Sequence, residues 1–200
     1  MHEPFELPPG EFSGFIFDCD GTLADSMPLY HRSWQRALTA HGAHFEFTWD
    51  LFMSRAGMST ALTIEGLNRE FGTALEADSV ERFHHAEYLK LIETVQPVTA
   101  IVEVARRYYG KLPMSVASGG SRPLVERTLE LIGVKELFPV VVVAADVARG
   151  KPEPDIFLLA AERMGVSPEG CLVFEDGKPG LVAAERAGMR AVFVDRGSRN

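Results

Sequence analysis

Apolar and polar positions divide the chain into stretches with different periodicities. Residues 1–11 are polar and rich in proline, and they predict a loose leader. A short apolar run at about 14–19 predicts a buried strand, whereas residues 28–92 carry apolar positions at helical spacing with little strand character. From Pro97 onward, short apolar runs alternate with helical patterns. This alternation predicts parallel strands connected by helices.

The positions of the elements follow from the same patterns. Later strands are expected at 114–117, 140–144, 171–174 and 191–194. Helices are expected between them at 101–105, 124–131, 156–164 and 181–187. We therefore predict an α/β fold with a doubly wound, Rossmann-like parallel sheet as its core, formed by residues 1–26 and 94–200. A small all-helical domain at 27–93 is inserted after the first strand.

A pair of aspartates marks the end of the first strand. Asp18 and Asp20 are separated by one residue, so both side chains are expected on one side of the chain. Two close carboxylates repel each other unless a cation or a shared proton relieves them, and Mg²⁺ takes oxygen ligands. A solvated acidic turn is the alternative. The spacing does not fit a calcium loop of the EF-hand type, because Gly21 and Leu29 occupy the wrong positions.

Polar side chains also follow three later strands, and ligands of open α/β sheets bind at such strand ends. Ser118 opens a Gly-Gly turn before a helix, which favours either an anion site or a plain helix cap. Lys151 precedes Pro152 and is a candidate phosphate ligand, although a lone lysine in a loop is usually solvated. Glu175 and Asp176 either cap a helix or complete an oxygen cage for a hard cation.

Taken together, these groups predict phosphoryl-transfer chemistry. A phosphate dianion needs cations and hydrogen-bond donors, which Mg²⁺, Lys151 and Ser118 would supply. One carboxylate can then attack phosphorus and form an aspartyl-phosphate, while the other protonates the leaving alcohol and activates water. The chain contains no Walker A motif, which argues against a nucleotide-triphosphate-driven function.

The overall charge narrows the choice of partners. A net charge of −8 and a pI near 5.3 argue against nucleic acid or an anionic membrane. The longest apolar run, Val140–Ala145, is too short to span a bilayer, and residues 1–4 do not resemble a signal peptide. Cys19 and Cys171 lie in apolar stretches and are expected to be buried free thiols. We expect a soluble, cytoplasmic monomer that acts on a small molecule.

The ordered motifs resemble those of the haloacid dehalogenase-like hydrolase superfamily over nearly the whole chain. The motifs are Asp18-Cys19-Asp20-Gly21-Thr22-Leu23, Ser118 after its strand, Gly150-Lys151-Pro152 and Glu175-Asp176. The resemblance implies that Asp18 is the nucleophile and Asp20 the general acid/base. It assigns Mg²⁺ to Asp18, the Asp20 carbonyl, Glu175 and Asp176, and the phosphoryl group to Ser118, Lys151, Thr22 and Gly119. The helical insert is similar to the family's small cap domain, which closes over the site and selects the substrate.

The resemblance also indicates a branch of the superfamily. Dehalogenases and phosphonate-cleaving members lack an acid at the position of Asp20. The segments Phe174-Glu175-Asp176 and 151–157 are closest to the β-phosphoglucomutase-like branch. The short cap and the run 160–166 resemble fructose-1-phosphate and 6-phosphogluconate phosphatases. This implies a Mg²⁺-dependent phosphatase for a small sugar phosphate or related phosphomonoester.

The cap departs from the phosphosugar mutases at two positions. In the mutases an arginine follows Gly-x-Ser, but here Thr60 follows Gly57-Met58-Ser59. His84 stands where a cap lysine is expected. Because a mutase must bind a bisphosphate intermediate, the loss of two cations favours simple hydrolysis.

Several residues of the insert are candidate substrate contacts. The branch often has a histidine where this chain has Tyr30, and His31 follows one position later. His31, His84, Arg55 and Tyr88 are the candidates, and surface or packing roles are the alternative for each of them.

Three other functions compete with the phosphatase. A β-phosphoglucomutase-type mutase differs only in using a second sugar hydroxyl instead of water as the acceptor. A phospho-accepting signalling receiver also uses Asp, Mg²⁺, Ser/Thr and Lys, but it lacks both a helical insert and an acid two residues after the nucleophile. A catalytically idle interaction protein predicts the loss of a motif residue, and none is lost. The phosphatase is therefore the predicted function, with the mutase as the alternative.

Overall fold

The structure is a computed structural model that describes residues 5–55, 58 and 60–195. Five strands form one sheet: β1 Gly14–Phe17, β2 Met114–Ser118, β3 Val140–Val143, β4 Cys171–Glu175 and β5 Arg190–Phe193. The α-helices are α1 Met27–Ala40, α2 Trp49–Met53, α3 Thr60–Phe71, α4 Ala77–Leu91, α5 Thr99–Tyr108, α6 Arg122–Leu131, α7 Asp155–Met164 and α8 Lys178–Arg186. The predicted α/β fold with a parallel sheet is confirmed.

The sheet has the order β3-β2-β1-β4-β5, and all of its neighbouring strands are parallel. β1 is central, with Phe17 in register with Val116 on one side and Phe174 on the other. Its side chains alternate between two faces. Ile16 packs into the apolar cluster formed with α7 and α8, while the ring of Phe15 lies 4.8 Å from that of Tyr108 on α5. Helices therefore cover both faces of the central strand, which explains why every residue of β1 is buried.

β3 is an edge strand, and two of its backbone groups are bonded to side chains. The carbonyl of Val141 accepts from Arg122 Nη2 at 3.3 Å and from Arg163 Nη1 at 3.5 Å. The N–H of Val143 donates to Asp146 Oδ2 at 3.1 Å. The same carboxylate oxygen accepts from Arg122 at 2.6 Å and from Arg163 at 3.2 Å. At these two backbone groups, side chains therefore make the hydrogen bonds that an added strand would make.

The chain divides into two compact units, which we describe separately. The α/β unit contains residues 1–25 and 96–200, and the helical unit contains residues 26–95. In the helical unit, α1 packs against α4 around a core that includes Trp34, Leu38 and Leu67. No helix in the described ranges is long and apolar enough to cross a membrane. Cys19 and Cys171 are buried free thiols, as predicted.

Most element boundaries differ from the predicted ones by a few residues, and one short helix was not predicted. β1 ends at Phe17 instead of continuing to 19, and the last predicted residue of β3, Ala144, lies in a 3₁₀ turn. The helix α2 was not predicted, because five residues are too few to show a helical period. The only local signal is Thr48, whose hydroxyl caps α2 by accepting from the N–H of Leu51 at 3.3 Å.

Candidate active site

The turn after β1 places Asp18 beside β4. The Asp18 N–H donates to the carbonyl of Phe174 at 3.0 Å, so the first aspartate continues the parallel ladder by one residue. The chain then folds back, and the Cys19 carbonyl accepts from the N–H groups of residues 22–24 at 3.0–3.3 Å. Gly21 has a φ of 87°, a conformation that a residue with a Cβ rarely adopts. The glycine of the first motif is therefore needed to form this turn.

A buried lysine joins the carboxylates from two strand ends. Lys151 Nζ donates to Asp18 Oδ1 at 2.6 Å and to Glu175 Oε2 at 2.7 Å. Asp18 is 6% exposed and Glu175 is 4% exposed, so both carboxylates are removed from water. The ammonium also lies 5.0 Å from the centre of the Phe157 ring, where the face of the ring attracts a cation. Residues 18, 151 and 175, which are far apart in the sequence, thus form one charged cluster.

Burial and mutual charge shift the pKa values of this cluster. Burial opposes the charged form of Lys151, but the charges of Asp18 and Glu175 outweigh it and raise the lysine pKa well above its usual value. Burial first, and then repulsion from Asp18, raises the pKa of Glu175 to about 8, although Lys151 acts in the opposite direction. The site therefore keeps a lysine cation beside a carboxyl group that binds a proton unusually well.

A third acid completes a group that is suited to a metal ion. Oxygen atoms of Asp18, Glu175 and Asp176 all lie within 4.8 Å of one another. Hard cations such as Mg²⁺ are held by carboxylate oxygens of this kind, and a divalent cation would also relieve the repulsion that raises the pKa of Glu175. The residues present therefore fit the predicted metal. The backbone carbonyl of Asp20 is the remaining predicted ligand, and it stays a prediction because the cluster consists of side-chain oxygens only.

Two glycines hold the side chain of Glu175 in place. The N–H of Gly177 donates to Glu175 Oε1 at 3.1 Å. A Cβ on Gly180, in the first turns of α8, would lie only 2.0 Å from Glu175 Oε2 and 2.5 Å from its Cγ. Gly180 was not predicted as a site residue. Its spacing of five residues after Glu175 was visible, but the close approach depends on the three-dimensional path of α8.

The phosphate-binding candidates of the α/β unit lie at the ends of β1 and β2. Ser118 is 1% exposed, and its Oγ accepts from the N–H of Gly120 at 3.1 Å. A Cβ on Gly120 would lie 3.6 Å from Asp20 Oδ2, so this turn approaches the second aspartate. Thr22 is fully buried, and its Oγ1 has no hydrogen-bond partner among the described residues. Gly119 is exposed, and a Cβ there would meet open space.

Cys19 lies between the two aspartates without the properties of a nucleophile. Burial, followed by the charges of Asp20 and Asp18, raises the pKa of its thiol well above the usual value. A thiol that keeps its proton is a poor nucleophile. Cys19 therefore packs in the core with 0% exposure, and Asp18 and Asp20 stay the predicted reactive groups of this turn.

The candidate residues of the helical unit have different surroundings. His31 Nε2 lies 2.7 Å from the Phe47 carbonyl, which fixes the ring by a backbone contact. Tyr88 is 1% exposed and stacks on Tyr30 with ring centres 3.9 Å apart. His84 and Arg55 both line a cavity of about 280 Å³. Gly57 and Ser59, from the predicted Gly-x-Ser comparison, lie outside the described residues.

Comparison with known proteins gives concordant results. The family model of the haloacid dehalogenase-like hydrolases matches residues 12–188. Fructose-1-phosphate phosphatase YqaB of Escherichia coli is 34% identical over 194 residues, which cover 92% of this chain and 96% of the relative. Hexitol phosphatase A of the same organism is 30% identical over 187 residues, covering 91% and 82%. A solved structure of a proposed β-phosphoglucomutase from Thermotoga maritima has a TM-score of 0.76 at 27% identity, covering 94% of this chain and 88% of that one.

Proposed function

The chain belongs to the haloacid dehalogenase-like hydrolase family, and we propose that it is a Mg²⁺-dependent phosphatase acting on a small sugar phosphate or related phosphomonoester. The observation that carries the proposal is the contact of Lys151 Nζ with both Asp18 and Glu175, at 2.6 and 2.7 Å. This contact holds the Lys151 ammonium beside the proposed nucleophile, and the third N–H of the ammonium can donate to a phosphoryl oxygen. The phosphatase relatives that act on fructose 1-phosphate and hexitol phosphates support the choice of substrate class.

In the proposed reaction, Asp18 is the nucleophile. One of its carboxylate oxygens attacks phosphorus in line with the leaving alkoxide, and an aspartyl-phosphate forms as the bond between phosphorus and the sugar oxygen breaks. Lys151 fixes Asp18 Oδ1 and so orients the carboxylate. Lys151 and Ser118 then hold the phosphoryl oxygens, because phosphoryl transfer needs charge neutralisation and positioning more than covalent assistance from the protein. Thr22 and Gly119 stay predicted contacts to the same group.

Asp20 is the proposed general acid and base. It donates a proton to the departing sugar oxygen and then removes one from the water that attacks the aspartyl-phosphate. The half-buried position of Asp20, next to the turn of Ser118 and Gly120, supports this role because the acid lies beside the proposed phosphate groups. The hydrolysed phosphate leaves, and Asp18 is regenerated as a carboxylate.

Asp18, Glu175 and Asp176, with the carbonyl of Asp20, would hold the Mg²⁺ ion. When bound, the ion neutralises negative charge on the phosphoryl group. The chain's own contribution is to deliver three carboxylates to one point, two of them held by Lys151. Glu175 must lose its proton before it can serve as a ligand, because metals bind the carboxylate form.

The remaining parts of the proposal concern the role of the helical unit, the alternative reaction, the cellular compartment and the oligomeric state. We propose that residues 26–95 act as the cap that selects the substrate, as the family resemblance implies. A phosphosugar mutase stays the alternative, with a sugar hydroxyl as the acceptor, and the β-phosphoglucomutase-like structural relative supports it. A cytoplasmic monomer stays a prediction, and the two buried free thiols are consistent with a reducing compartment.

The test is phosphate release from a panel of sugar phosphates with Mg²⁺ and then with EDTA. Fructose 1-phosphate, 6-phosphogluconate and β-glucose 1-phosphate form the panel, with glucose 6-phosphate followed in parallel. We expect Mg²⁺-dependent release of phosphate, abolished in Asp18→Asn with the fold retained by circular dichroism. Retained turnover in Asp18→Asn would contradict the nucleophile assignment. Glucose 6-phosphate without free phosphate would favour the mutase.

A further inference from the structure

The helical unit contains a cavity of about 280 Å³ whose walls are mostly aromatic. Tyr30, Trp34, Phe47 and Phe52 contribute rings to its lining. Ligand sites are typically concave, mostly apolar and equipped with a few polar groups that fix orientation. Rings of this kind suit the C–H faces of a carbon skeleton. The composition of the walls therefore favours an uncharged part of a ligand.

The cavity has one arginine in its lining, and the charge of that arginine is already matched. Arg55 Nη2 lies 2.5 Å from Glu70 Oε2, and Arg55 Nη1 donates to Ser54 Oγ at 3.0 Å. The Arg55 side chain is only 13% exposed. A guanidinium held in this way presents a neutral ion pair, and an anionic group approaching it would also meet the Glu70 carboxylate.

The histidine of the lining adds no second cation. Burial first, and then the neighbouring His85, lowers the pKa of His84 to about 4. Its ring lies 4.7 Å from the ring of Trp34, and its Nε2 is buried with no hydrogen-bond partner among the described residues. At neutral pH, His84 is therefore an uncharged part of the wall. A second phosphate would enter this cavity without an unmatched cation among the described lining residues, which is unfavourable for a buried charge.

We propose that this cavity binds the uncharged, hydroxyl-bearing carbon skeleton of a phosphomonoester, and that the Arg55–Glu70 ion pair disfavours ligands with a second phosphate. The inference rests on the proposed function, since it names the substrate class for that activity. It concerns the groups lining the cavity of the helical unit alone. Its specific content is that Glu70, a residue outside the lining, determines the charge preference through Arg55.

The experiment uses a matched pair of ligands and a fluorescent residue of the cavity. Fructose 1-phosphate and fructose 1,6-bisphosphate differ only in the second phosphate. The chain has two tryptophans, so Trp49→Phe leaves Trp34 as the only one, and Asp18→Asn prevents turnover. In this full-length double variant with Mg²⁺, fluorescence titration should give an affinity for the monophosphate about 10-fold tighter than for the bisphosphate, a ratio typical of one matched or unmatched charge.

Two variants of α3 then separate the ion pair from general surface charge. Glu70→Gln releases Arg55, and the preference for the monophosphate should fall by about 10-fold as the bisphosphate gains affinity. Glu65→Gln is the matched control, because Glu65 pairs with Arg69 on the same helix and both side chains are more than 60% exposed. The control should leave the ratio unchanged. Glu70 is itself 51% exposed, so Glu70→Gln is expected to fold normally.

A second pair of variants tests whether the cavity is the site. Thr60→Phe places a large ring in the cavity and should weaken binding of the monophosphate about 10-fold or more. Leu62→Phe, at a 54% exposed position of the same helix, should leave this affinity unchanged. An unchanged ratio in Glu70→Gln, or equal affinities in Thr60→Phe and Leu62→Phe, would overturn the inference. These binding results are independent of turnover. If the wild type releases phosphate but the ratio of monophosphate to bisphosphate affinity is unchanged in Glu70→Gln, this inference alone is refuted. If the wild type releases no phosphate, the proposed function is refuted.

Discussion

Removing the charge of Lys151 should lower the free energy of unfolding of the metal-free protein more than removing the charge of an exposed lysine does. In Lys151→Met the aliphatic stem is kept, but Asp18 and Glu175 lose the ammonium that lies 2.6 and 2.7 Å from them. Breaking a buried ion pair from one side costs about 3–5 kcal/mol, because the remaining charge stays buried without a partner. Here two carboxylates would remain, at 6% and 4% exposure.

The size of this loss should depend on pH. Glu175 has a pKa raised to about 8, and the loss of the neighbouring lysine cation raises the pKa further. At pH 7 the carboxyl group can therefore take a proton, so we expect the lower end of the range of about 3–5 kcal/mol. At pH 9 the proton is harder to keep, and we expect the upper end. The measurement is urea unfolding followed by circular dichroism in EDTA at both pH values.

Lys135→Met is the matched control for this prediction. Lys135 also touches a carboxylate, Glu130 at 2.6 Å, but the pair lies at the surface, and we expect no measurable change in the unfolding midpoint. Saturating Mg²⁺ should stabilise Lys151→Met more than the wild type, since the ion no longer meets the lysine charge in the variant. Ligand at 100 times its Kd adds about 2.7 kcal/mol, which is easily resolved. Equal losses in Lys151→Met and Lys135→Met would refute the buried ion pair.

Three further predictions concern other parts of the two units. Gly180→Ala should weaken Mg²⁺ binding by 10-fold or more in a calorimetric titration, because its Cβ would lie 2.0 Å from Glu175 Oε2. Gly66→Ala is the control and should bind Mg²⁺ normally, because a Cβ there meets nothing within 4 Å. The Mg²⁺ affinity of the wild type should rise as pH increases toward 8, because Glu175 binds a proton below that pH. In EDTA, the protonated Glu175 stabilises the fold fully below about pH 4.5, and this contribution is lost as pH rises through about 8. An affinity that is flat across this range would contradict the raised pKa of Glu175. His84, with its pKa lowered from 6.5 to about 4, should make the helical unit less stable as pH falls from 6.5 through 4, and tryptophan-monitored unfolding of His84→Phe should lack this acid loss.

The clustering of Asp18, Lys151 and Glu175 in the α/β unit was predictable because it depends on local signals repeated at strand ends. Apolar runs that stop at Asp18, Ser118 and Glu175 are visible in the sequence, and parallel strands place their carboxyl ends at one edge. The order of the strands was not predictable in the same way. It depends on pairing between segments such as Phe17 and Phe174, which are distant in the chain and carry no mutual signal in one sequence.

Side-chain pairing in the helical unit was harder to predict. Arg55 was a candidate substrate contact, but the sequence does not reveal that Glu70, fifteen residues later, occupies its guanidinium. Likewise, His31 is bonded to the Phe47 carbonyl, a contact that depends on the path of the loop before α2. A single sequence gives residue types and local periodicity, whereas these contacts are set by how helices pack.

The side-chain bonds along the rim of β3 have a consequence for the behaviour of the protein at high concentration. Residues 140–143 are four consecutive valines, a composition that favours intermolecular β-sheet and aggregation. An added strand from another molecule would need the Val141 carbonyl and the Val143 N–H, and it would have to break their bonds to Arg122, Arg163 and Asp146 first. It would also leave charged groups without their partners. These side-chain hydrogen bonds therefore oppose pairing of the four-valine strand β3 with a strand from another molecule.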